Sequence, residues 1–216
     1  MIDVRMFTVG PVQENCFIVR QAEASRAVII DPGEEADRLL KAVEDLGIER
    51  VEAILITHTH FDHIGAVAPV ARATGAPVYC PELETEVLGN IMAYVPWPGF
   101  GPFESYQADH TVAGGERLEL AGLDIGVLFT PGHSPGHVTY AVASEDALFS
   151  GDVLFQGSVG RVDLPGGDWP TLLSSIETLM ESFSPEATVY PGHMGITTLG
   201  RERATNPFLR ELTSRP

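Results

Sequence analysis

The sequence predicts an α/β protein that folds as a single domain, with two β-sheets packed face to face and helices on their outer sides, an αββα sandwich. Short apolar segments rich in β-branched residues alternate with segments whose apolar residues recur at helical spacing, in two successive halves. The 216 residues are 44% hydrophobic, enough for a substantial core, and no repeat or linker divides them. We therefore expect one domain over residues 1–216.

The first half of the chain predicts strands and helices in alternation. Strands are expected at residues 4–9, 16–20, 27–30, 51–56 and 77–80, where apolar and β-branched residues cluster. A helix is expected at 35–46 because its apolar residues fall on one face, and Gly47 is a typical C-terminal stop. Two further helices are expected at 66–74, where Pro69 lies near the first turn, and at 82–92.

The second half repeats this order. Strands are expected at residues 117–120, 123–129, 138–142, 147–149 and 188–190. Asp168 is expected to cap a helix over 169–182, with Pro170 in its first turn. A last helix is expected near 200–204.

The densest group of ligand-type side chains is Thr57-His58-Thr59-His60-Phe61-Asp62-His63, which directly follows the predicted strand 51–56. Its three imidazoles and one carboxylate indicate a metal site, because ring nitrogens and carboxylate oxygens suit zinc, iron and manganese. In an extended chain His58 and His60 share one face and can reach one ion together. The turn that carries Asp62 and His63 directs those side chains towards a second ion.

Three more donor-type residues follow later strands. His133 lies in a Thr-Pro-Gly-His segment, Asp152 in Ser-Gly-Asp, and His193 in Tyr-Pro-Gly-His. Each comes just after an apolar strand and beside Gly or Pro, which form tight turns at strand ends. Together with the 57–63 segment they predict a two-metal site at one edge of the sheets.

This spacing, His-x-His-x-Asp-His with a later His, Asp and His, resembles the metallo-β-lactamase superfamily, and within it the glyoxalase II-like hydrolases, also called hydroxyacylglutathione hydrolases. The resemblance extends from Asp31-Pro32-Gly33 to Asn206-Pro207-Phe208-Leu209 and implies the αββα fold. It also implies seven metal ligands: His58, His60 and His133 for one ion, Asp62, His63 and His193 for the other, and Asp152 as the bridge between them.

The implied cofactor is a pair of divalent metal ions, with zinc expected and iron or manganese as alternatives. Two such ions can share a water and lower its pKa towards neutrality, so that a bridging hydroxide attacks a carbonyl carbon. A thiolate then leaves readily because thiols are stronger acids than alcohols. We expect hydrolysis of a small-molecule thioester, with a hydroxyacylglutathione such as S-lactoylglutathione as the leading candidate, and Asp62 as an acceptor of the water's proton.

The substrate side of the site has fewer candidates. The resemblance implies a glutathione-contacting cation at Arg161, whose guanidinium can hold a carboxylate through two hydrogen bonds; a structural salt bridge is the alternative. Glutathione-specific members have tyrosines where this chain has Asp163 and Gly195. The aromatic segment 94–103 is expected either to wall the site or to pack over the domain.

A second reaction class shares the implied fold. The segment Gly160-Arg161-Val162-Asp163 also resembles persulfide dioxygenases, in which the equivalents of three residues hold a single iron that activates oxygen: His58, His133 and Asp152. Asp163 favours this alternative, and the Gly192-His193 end favours the hydrolase. A lactonase or β-lactam hydrolase and a non-catalytic binding module are further alternatives, the last being expected to lack a ligand.

Several other residues have two interpretations each. His110, in a polar stretch, is expected to face solvent or to belong to loop structure, whereas His137 is expected to stabilise a turn or support a ligand. Asp31 either caps the following helix or supports a metal-binding imidazole. Cys16 and Cys80 lack metal-ligand spacing and are expected to be buried free thiols.

The charge of the chain limits its partners. The net charge is −17 and Lys41 is the only lysine, so the surface should repel nucleic acid and anionic lipid. The start of the chain has no secretory apolar segment, and no apolar run reaches the length of a membrane span. We expect a cytoplasmic protein without nucleic-acid or membrane partners; the oligomeric state stays open.

Overall fold

Two large β-sheets form the centre of the protein in the computed structural model, which describes residues 1–210; residues 211–216 of the predicted domain lie outside it. The N-terminal sheet contains, in spatial order, β1 (Ile2–Val9), β2 (Glu14–Gln21), β3 (Arg26–Ile30), β4 (Arg50–Leu55), β5 (Val78–Pro81) and β6 (His110–Val112). The strands β1 to β3 are antiparallel, and β3 to β6 are parallel.

The C-terminal sheet brings the later strands together. Its spatial order is β14 (Thr197–Thr198), β13 (Thr188–Pro191), β10 (Ala147–Gly151), β9 (Val138–Val142), β8 (Leu123–Phe129) and β7 (Arg117–Leu120). Only β10 and β13 pair in parallel, so β8, β10 and β13 all run in one direction and end at one edge. A separate hairpin joins β11 (Leu154–Phe155) to β12 (Ser158–Val159).

Alternation along the strands divides the core into three layers. In β2, Phe17 and Val19 point between the two sheets, whereas Cys16 and Ile18 point to the outer face of the N-terminal sheet. This is the period-two pattern of a strand that is buried on both faces. Phe17 meets Phe149 of the opposite sheet edge to face, with ring centroids 5.5 Å apart.

Helices cover both outer faces. The helices are α1 (Ala36–Asp45), α2 (Phe61–Ile64), α3 (Val67–Thr74), α4 (Thr85–Gly89), α5 (Trp169–Ser182) and α6 (Leu199–Thr205). Leu39 of α1 and Val70 of α3 share a core cluster with the N-terminal sheet, and Leu172 of α5 shares one with the C-terminal sheet. The predicted αββα sandwich is therefore confirmed. Within residues 1–210, no helix is both long and apolar enough to cross a membrane.

Most predicted elements are found within two residues of their expected bounds, but the single helix expected at 82–92 is wrong. The segment forms a 3-10 turn at Glu82–Glu84, then α4, then a 3-10 turn at Ile91–Ala93. Asn90, with φ of −150°, interrupts the helical backbone. The cap of α5 is as expected, since the Asp168 carboxylate accepts a hydrogen bond from the Thr171 N–H at 3.0 Å.

Candidate metal centre

The predicted donor residues meet at one edge of the sandwich, where four strands end. β4 leads into His58 and His60, and α2 carries Asp62 and His63 on a single helical turn where a simple turn was expected. The strands β8, β10 and β13 end just before His133, Asp152 and His193, respectively. Four of the seven residues lie within positions 58–63, and the common edge of the two sheets brings the distant His133, Asp152 and His193 to them.

The first group contains His58, His60 and His133, whose ring nitrogens lie within 4.8 Å of one another. His133 Nδ1 lies 2.7 Å from the Arg161 carbonyl oxygen, which can only accept, so Nδ1 carries the proton and Nε2 has a free lone pair. That Nε2 lies 3.2 Å from His58 Nε2 and 2.8 Å from His60 Nδ1.

The protonation of His58 is determined in the same way. Thr57 Oγ1 donates to the Asp31 carboxylate at 2.6 Å, so it accepts from His58 Nδ1 at 3.1 Å. The Nε2 atoms of His58 and His133 therefore face each other with lone pairs, an arrangement that is repulsive unless a cation lies between them. Such convergence is what a metal-binding imidazole set requires.

The second group contains Asp62, His63 and His193. His63 Nδ1 donates to Asp31 at 3.0 Å and His193 Nδ1 donates to the Gln13 carbonyl oxygen at 3.2 Å, so both Nε2 atoms point inwards. His193 Nε2 lies 3.3 Å from Asp62 Oδ2. Gly192 is required here, because a Cβ atom at that position would lie 2.3 Å from Asp152 Oδ1.

Asp152 lies between the two groups. Its Oδ1 is 3.3 Å from His63 Nε2, and its Oδ2 is 3.4 Å from His133 Nε2 and 3.6 Å from His193 Nε2. Among the described residues, neither His63 Nε2 nor Asp152 Oδ1 has a hydrogen-bond partner, although both atoms are buried. Buried unpaired donors and acceptors are costly, so these residues fit a pair of divalent cations.

The electrostatics of the two groups differ. Burial and the neighbouring imidazoles hold the pKa of His58 well below its ordinary value, and burial lowers the pKa of His60 to about 4. Burial also lowers the pKa of His63, but the Asp152 and Asp31 carboxylates outweigh it and raise the pKa well above the ordinary value. Without a cation, His63 therefore holds a proton in the position where a metal would neutralise the carboxylates.

Asp31 and His137 support the donor residues. Asp31 also forms a third group with His58 and His63 that could hold a metal, but both of its carboxylate oxygens already accept hydrogen bonds. Asp31 accepts from the Thr57 N–H at 2.7 Å and from His63 Nδ1 at 3.0 Å, so it orients an imidazole and does not cap a helix. His137 Nε2 accepts the Asp152 backbone N–H at 3.0 Å, and its Nδ1 lies 3.1 Å from Thr130 Oγ1. Both ring nitrogens of His137 are thus used in holding the Asp152 turn.

The start of β2 contributes two residues that the sequence analysis missed. Asn15 Nδ2 donates to the carbonyl oxygens of Pro191 at 3.0 Å and Met194 at 2.9 Å, which holds the turn that carries His193. Glu14 is fully buried, and burial raises its pKa well above the ordinary value although the charge of His63 acts in the opposite direction. Two consecutive polar residues, Glu14 and Asn15, at the start of an otherwise apolar strand were the sequence feature that could have indicated their buried role.

Glu84 is a third residue that was missed. It is 5% exposed and accepts hydrogen bonds from the Thr59 N–H at 2.6 Å, the Thr59 hydroxyl at 3.0 Å and the Gly136 N–H at 2.8 Å. The Ser134 hydroxyl also donates to it. Since Thr59 lies between two of the donor histidines and Ser134 follows His133, one buried carboxylate joins two donor loops.

A cavity of about 590 Å³ opens in front of the two groups, and Arg161 and part of the 94–103 segment line it. Tyr94 and Trp97 form part of the wall, whereas Phe103 stacks on Phe61 with ring centroids 5.8 Å apart. The aromatic segment therefore does both: Tyr94 and Trp97 wall the site, and Phe103 packs over the domain. The Arg161 guanidinium forms two hydrogen bonds to Asp163, so the salt-bridge alternative describes its state in this structure.

The remaining residues of interest lie away from the centre. His110 is exposed, as expected, but it belongs to strand β6 and not to a loop, and its ring lies 4.5 Å from that of Tyr79. Cys16 and Cys80 are buried free thiols, as predicted, and burial raises the pKa of both.

The comparison with protein families agrees with this geometry. The family model described as the metallo-β-lactamase superfamily matches residues 9–193, from the last residue of β1 to the last donor histidine. The chain belongs to the metallo-β-lactamase superfamily. It is therefore a member of a superfamily of hydrolytic metalloenzymes whose fold binds divalent metals, and the clustered histidine and aspartate side chains fit that property.

Similar proteins extend over almost the whole chain. The hydroxyacylglutathione hydrolase GloC of Haemophilus influenzae is 34% identical over 96% of this chain and 98% of its own length. The crystal structure of the BLEG-1 B3 metallo-β-lactamase has 38% identity and a TM-score of 0.89, covering 97% of this chain and 99% of that chain. The crystal structure of TTHA1623 in a di-iron-bound form has 43% identity and a TM-score of 0.85, covering 95% of this chain and 100% of that chain.

Proposed function

We propose that the protein is a dinuclear metal-dependent thioester hydrolase of the glyoxalase II type, with a hydroxyacylglutathione as the reference substrate. The observation that carries this proposal is the presence of two complete donor groups with Asp152 between them. A single-iron site needs only two histidines and one carboxylate. The second group, Asp62, His63 and His193, therefore favours the hydrolase over a mononuclear dioxygenase.

The donor residues have distinct roles in this proposal. His58, His60 and His133 would hold one ion, Asp62, His63 and His193 the other, and Asp152 both. Bound there, two divalent cations supply a water whose pKa is close to neutrality and a Lewis acid for the carbonyl oxygen. Zinc is the ion that we propose, with iron or manganese as alternatives for the same nitrogen and oxygen donors.

Asp62 provides the proton acceptor. Burial favours its neutral form, but the hydrogen bond from His193 and the charge of His63 outweigh burial and lower its pKa. The carboxylate is therefore ionised at neutral pH, and it lines the cavity where a substrate carbonyl would lie. In hydrolysis, the C–O bond to water forms, the C–S bond breaks, and the thiolate leaves with the electron pair of that bond.

The low pKa of a thiol leaving group means that the reaction needs no general acid to protonate it. Thiols are acidic enough to leave as thiolates near neutral pH. Among the described residues that line the cavity there is no lysine, and the hydroxyl of the tyrosine there, Tyr94, donates a hydrogen bond to Glu86 at 2.9 Å. This composition suits a thioester better than an ester or amide, whose leaving groups require protonation.

The test combines metal analysis with turnover. The purified protein loaded with zinc or manganese should bind two ions per chain and release thiol from S-lactoylglutathione. His193→Ala should reduce the metal content to one ion and abolish turnover, whereas His110→Ala, at an exposed histidine of β6, should change neither. Two bound ions without thioester turnover would refute the proposal.

Two other results would identify an alternative. One iron per chain with oxygen uptake on glutathione persulfide would indicate the dioxygenase. Faster hydrolysis of a β-lactam or lactone than of any thioester would indicate that the same centre acts on a cyclic substrate.

A further inference from the structure

The cavity in front of the metal centre has an apolar wall. Its floor consists of imidazoles and carboxylates, but Phe61, Leu83, Val87, Val95, Trp97 and Leu164 line its sides. Leu83 is 67% exposed and Trp97 is 40% exposed, so part of this apolar surface meets solvent. A volume of about 590 Å³ lies within the range of sites for small molecules.

Cationic side chains are nearly absent from this wall. The chain has 13 lysine and arginine residues, and Arg161 is the one that lines the cavity within residues 1–210. The single lysine, Lys41, lies on α1 and pairs with Asp45. An anionic substrate would therefore depend on Arg161 for a fixed positive charge outside the metal centre.

Arg161 is already engaged on two sides. Its Nε donates to Asp163 Oδ1 at 2.7 Å and its terminal NH2 donates to Asp163 Oδ2 at 2.8 Å. Its guanidinium carbon also lies 5.7 Å from the centre of the Trp97 ring. The two-bond contact is one that a substrate carboxylate would make, so Asp163 occupies that edge of the guanidinium and competes with a substrate carboxylate for it.

We propose that this cavity selects thioesters whose thiol half is uncharged and apolar over glutathione thioesters, and that Asp163 is a specificity-determining residue because it occupies Arg161. This inference rests on the proposed thioester hydrolysis and names its substrate class. Glutathione carries two carboxylates, and the one cationic side chain that lines the cavity within residues 1–210, Arg161, is already paired with Asp163. An uncharged thiol half covers the exposed faces of Trp97 and Leu83 and leaves the Arg161–Asp163 pair intact.

Three substrates with the same lactoyl group test the proposal in the metal-loaded protein: S-lactoylglutathione, its dimethyl ester, and the lactoyl thioester of benzyl mercaptan. We expect kcat/KM to be about tenfold higher for the benzyl thioester than for S-lactoylglutathione, as for one apolar group in a hydrophobic pocket. The dimethyl ester, which lacks the carboxylates, should lie between them. The difference should be in KM more than in kcat.

Two variants separate Asp163 from other surface charges. Asp163→Asn should raise kcat/KM for S-lactoylglutathione by up to about fivefold relative to kcat/KM for the benzyl thioester, as expected for release of an exposed ion pair. The matched control is Asp124→Asn, which breaks the exposed Arg117–Asp124 pair between β7 and β8. The control should leave the kinetics of all three substrates unchanged.

The outcomes distinguish this inference from the proposed function. Equal or better turnover of S-lactoylglutathione, with no response to Asp163→Asn, would overturn the inference and leave thioester hydrolysis intact. If no thioester is hydrolysed, the test uses binding affinities in place of turnover. The dissociation constants of S-benzylglutathione and of its dimethyl ester are then measured by tryptophan fluorescence. If the dimethyl ester binds at least about threefold more tightly than S-benzylglutathione, and if this difference in affinity is smaller in Asp163→Asn, the result supports selection against the carboxylates. Equal affinities refute it.

Discussion

Replacing Glu84 with glutamine tests whether one buried carboxylate holds the donor loops together. Glutamine keeps the size of the side chain but replaces one accepting oxygen with an NH2 donor. One oxygen of Glu84 accepts the Thr59 N–H and the other accepts the Gly136 N–H. Whichever oxygen is replaced, one of these buried N–H groups faces a donor.

The magnitude follows from the number of hydrogen bonds lost. A buried donor without a partner costs about 1–3 kcal/mol, and the hydroxyls of Thr59 and Ser134 can rotate to new partners. Glu84→Gln should therefore lower the free energy of unfolding by about 2 kcal/mol, which corresponds to roughly 4–8 °C in Tm for a chain of this size. Glu84→Ala, which leaves both N–H groups unpaired, should cost about twice as much.

The assay is urea unfolding in the presence of a chelator, so that metal affinity does not contribute to the stability. The control is Glu82→Gln, at an exposed glutamate of the same 3-10 turn. A second measurement is the affinity for zinc, determined by competition with a chromophoric chelator. This affinity should be lower in Glu84→Gln and unchanged in Glu82→Gln. If the two variants unfold at the same urea concentration, Glu84 does not hold the loops.

Three further predictions concern the cap of α5, the thiols and metal binding. Asp168→Ala should lower the free energy of unfolding by about 1 kcal/mol in denaturation experiments, whereas Asp168→Asn, which keeps an accepting oxygen, should lose much less. Cys16 and Cys80, which are both buried, should react with Ellman's reagent only after unfolding, so rapid labelling of the native protein would contradict their burial. Burial lowers the pKa of His63 and His193, but the neighbouring carboxylates outweigh it and raise both, so near neutral pH the metal-free protein holds more protons there than free imidazoles would, and metal binding must release them. Calorimetry in buffers of different ionisation enthalpy should show that release near neutral pH, and the release should vanish as pH rises through the raised pKa of the two histidines.

The pattern of apolar residues predicted the two sheets and their covering helices well, because each sheet strand has a face with period two or is buried on both faces. The strand β2 is an example, with Phe17 and Ile18 buried on opposite sides. The 82–92 segment was mispredicted because its apolar residues have helical spacing while Asn90 leaves the helical region of the backbone. The strands β11, β12 and β14 contain two residues each, too few for any period to be detected.

The donor residues were identifiable because imidazole clusters beside Gly and Pro at strand ends are uncommon without a metal. The residues that hold the donors were harder to identify. Glu84 has an ordinary helix-forming context in sequence, and its burial depends on two loops that lie 25 and 50 or more residues away. The sequence shows that Asp163 stands where glutathione-specific members have a tyrosine. Its contact with Arg161, two residues away, depends on the path of the backbone between them.

The amino-acid sequence by itself determined the αββα class, the donor chemistry and the surface charge, because periodicity, residue type and net charge are local or additive properties. Tertiary structure decided which nitrogen of each imidazole points inwards, through partners such as Asp31, Gln13 and the Arg161 carbonyl oxygen. It also decided that Glu84 is buried and joins two donor loops. These features depend on groups that distant segments bring within hydrogen-bond distance, so no local pattern in the chain encodes them.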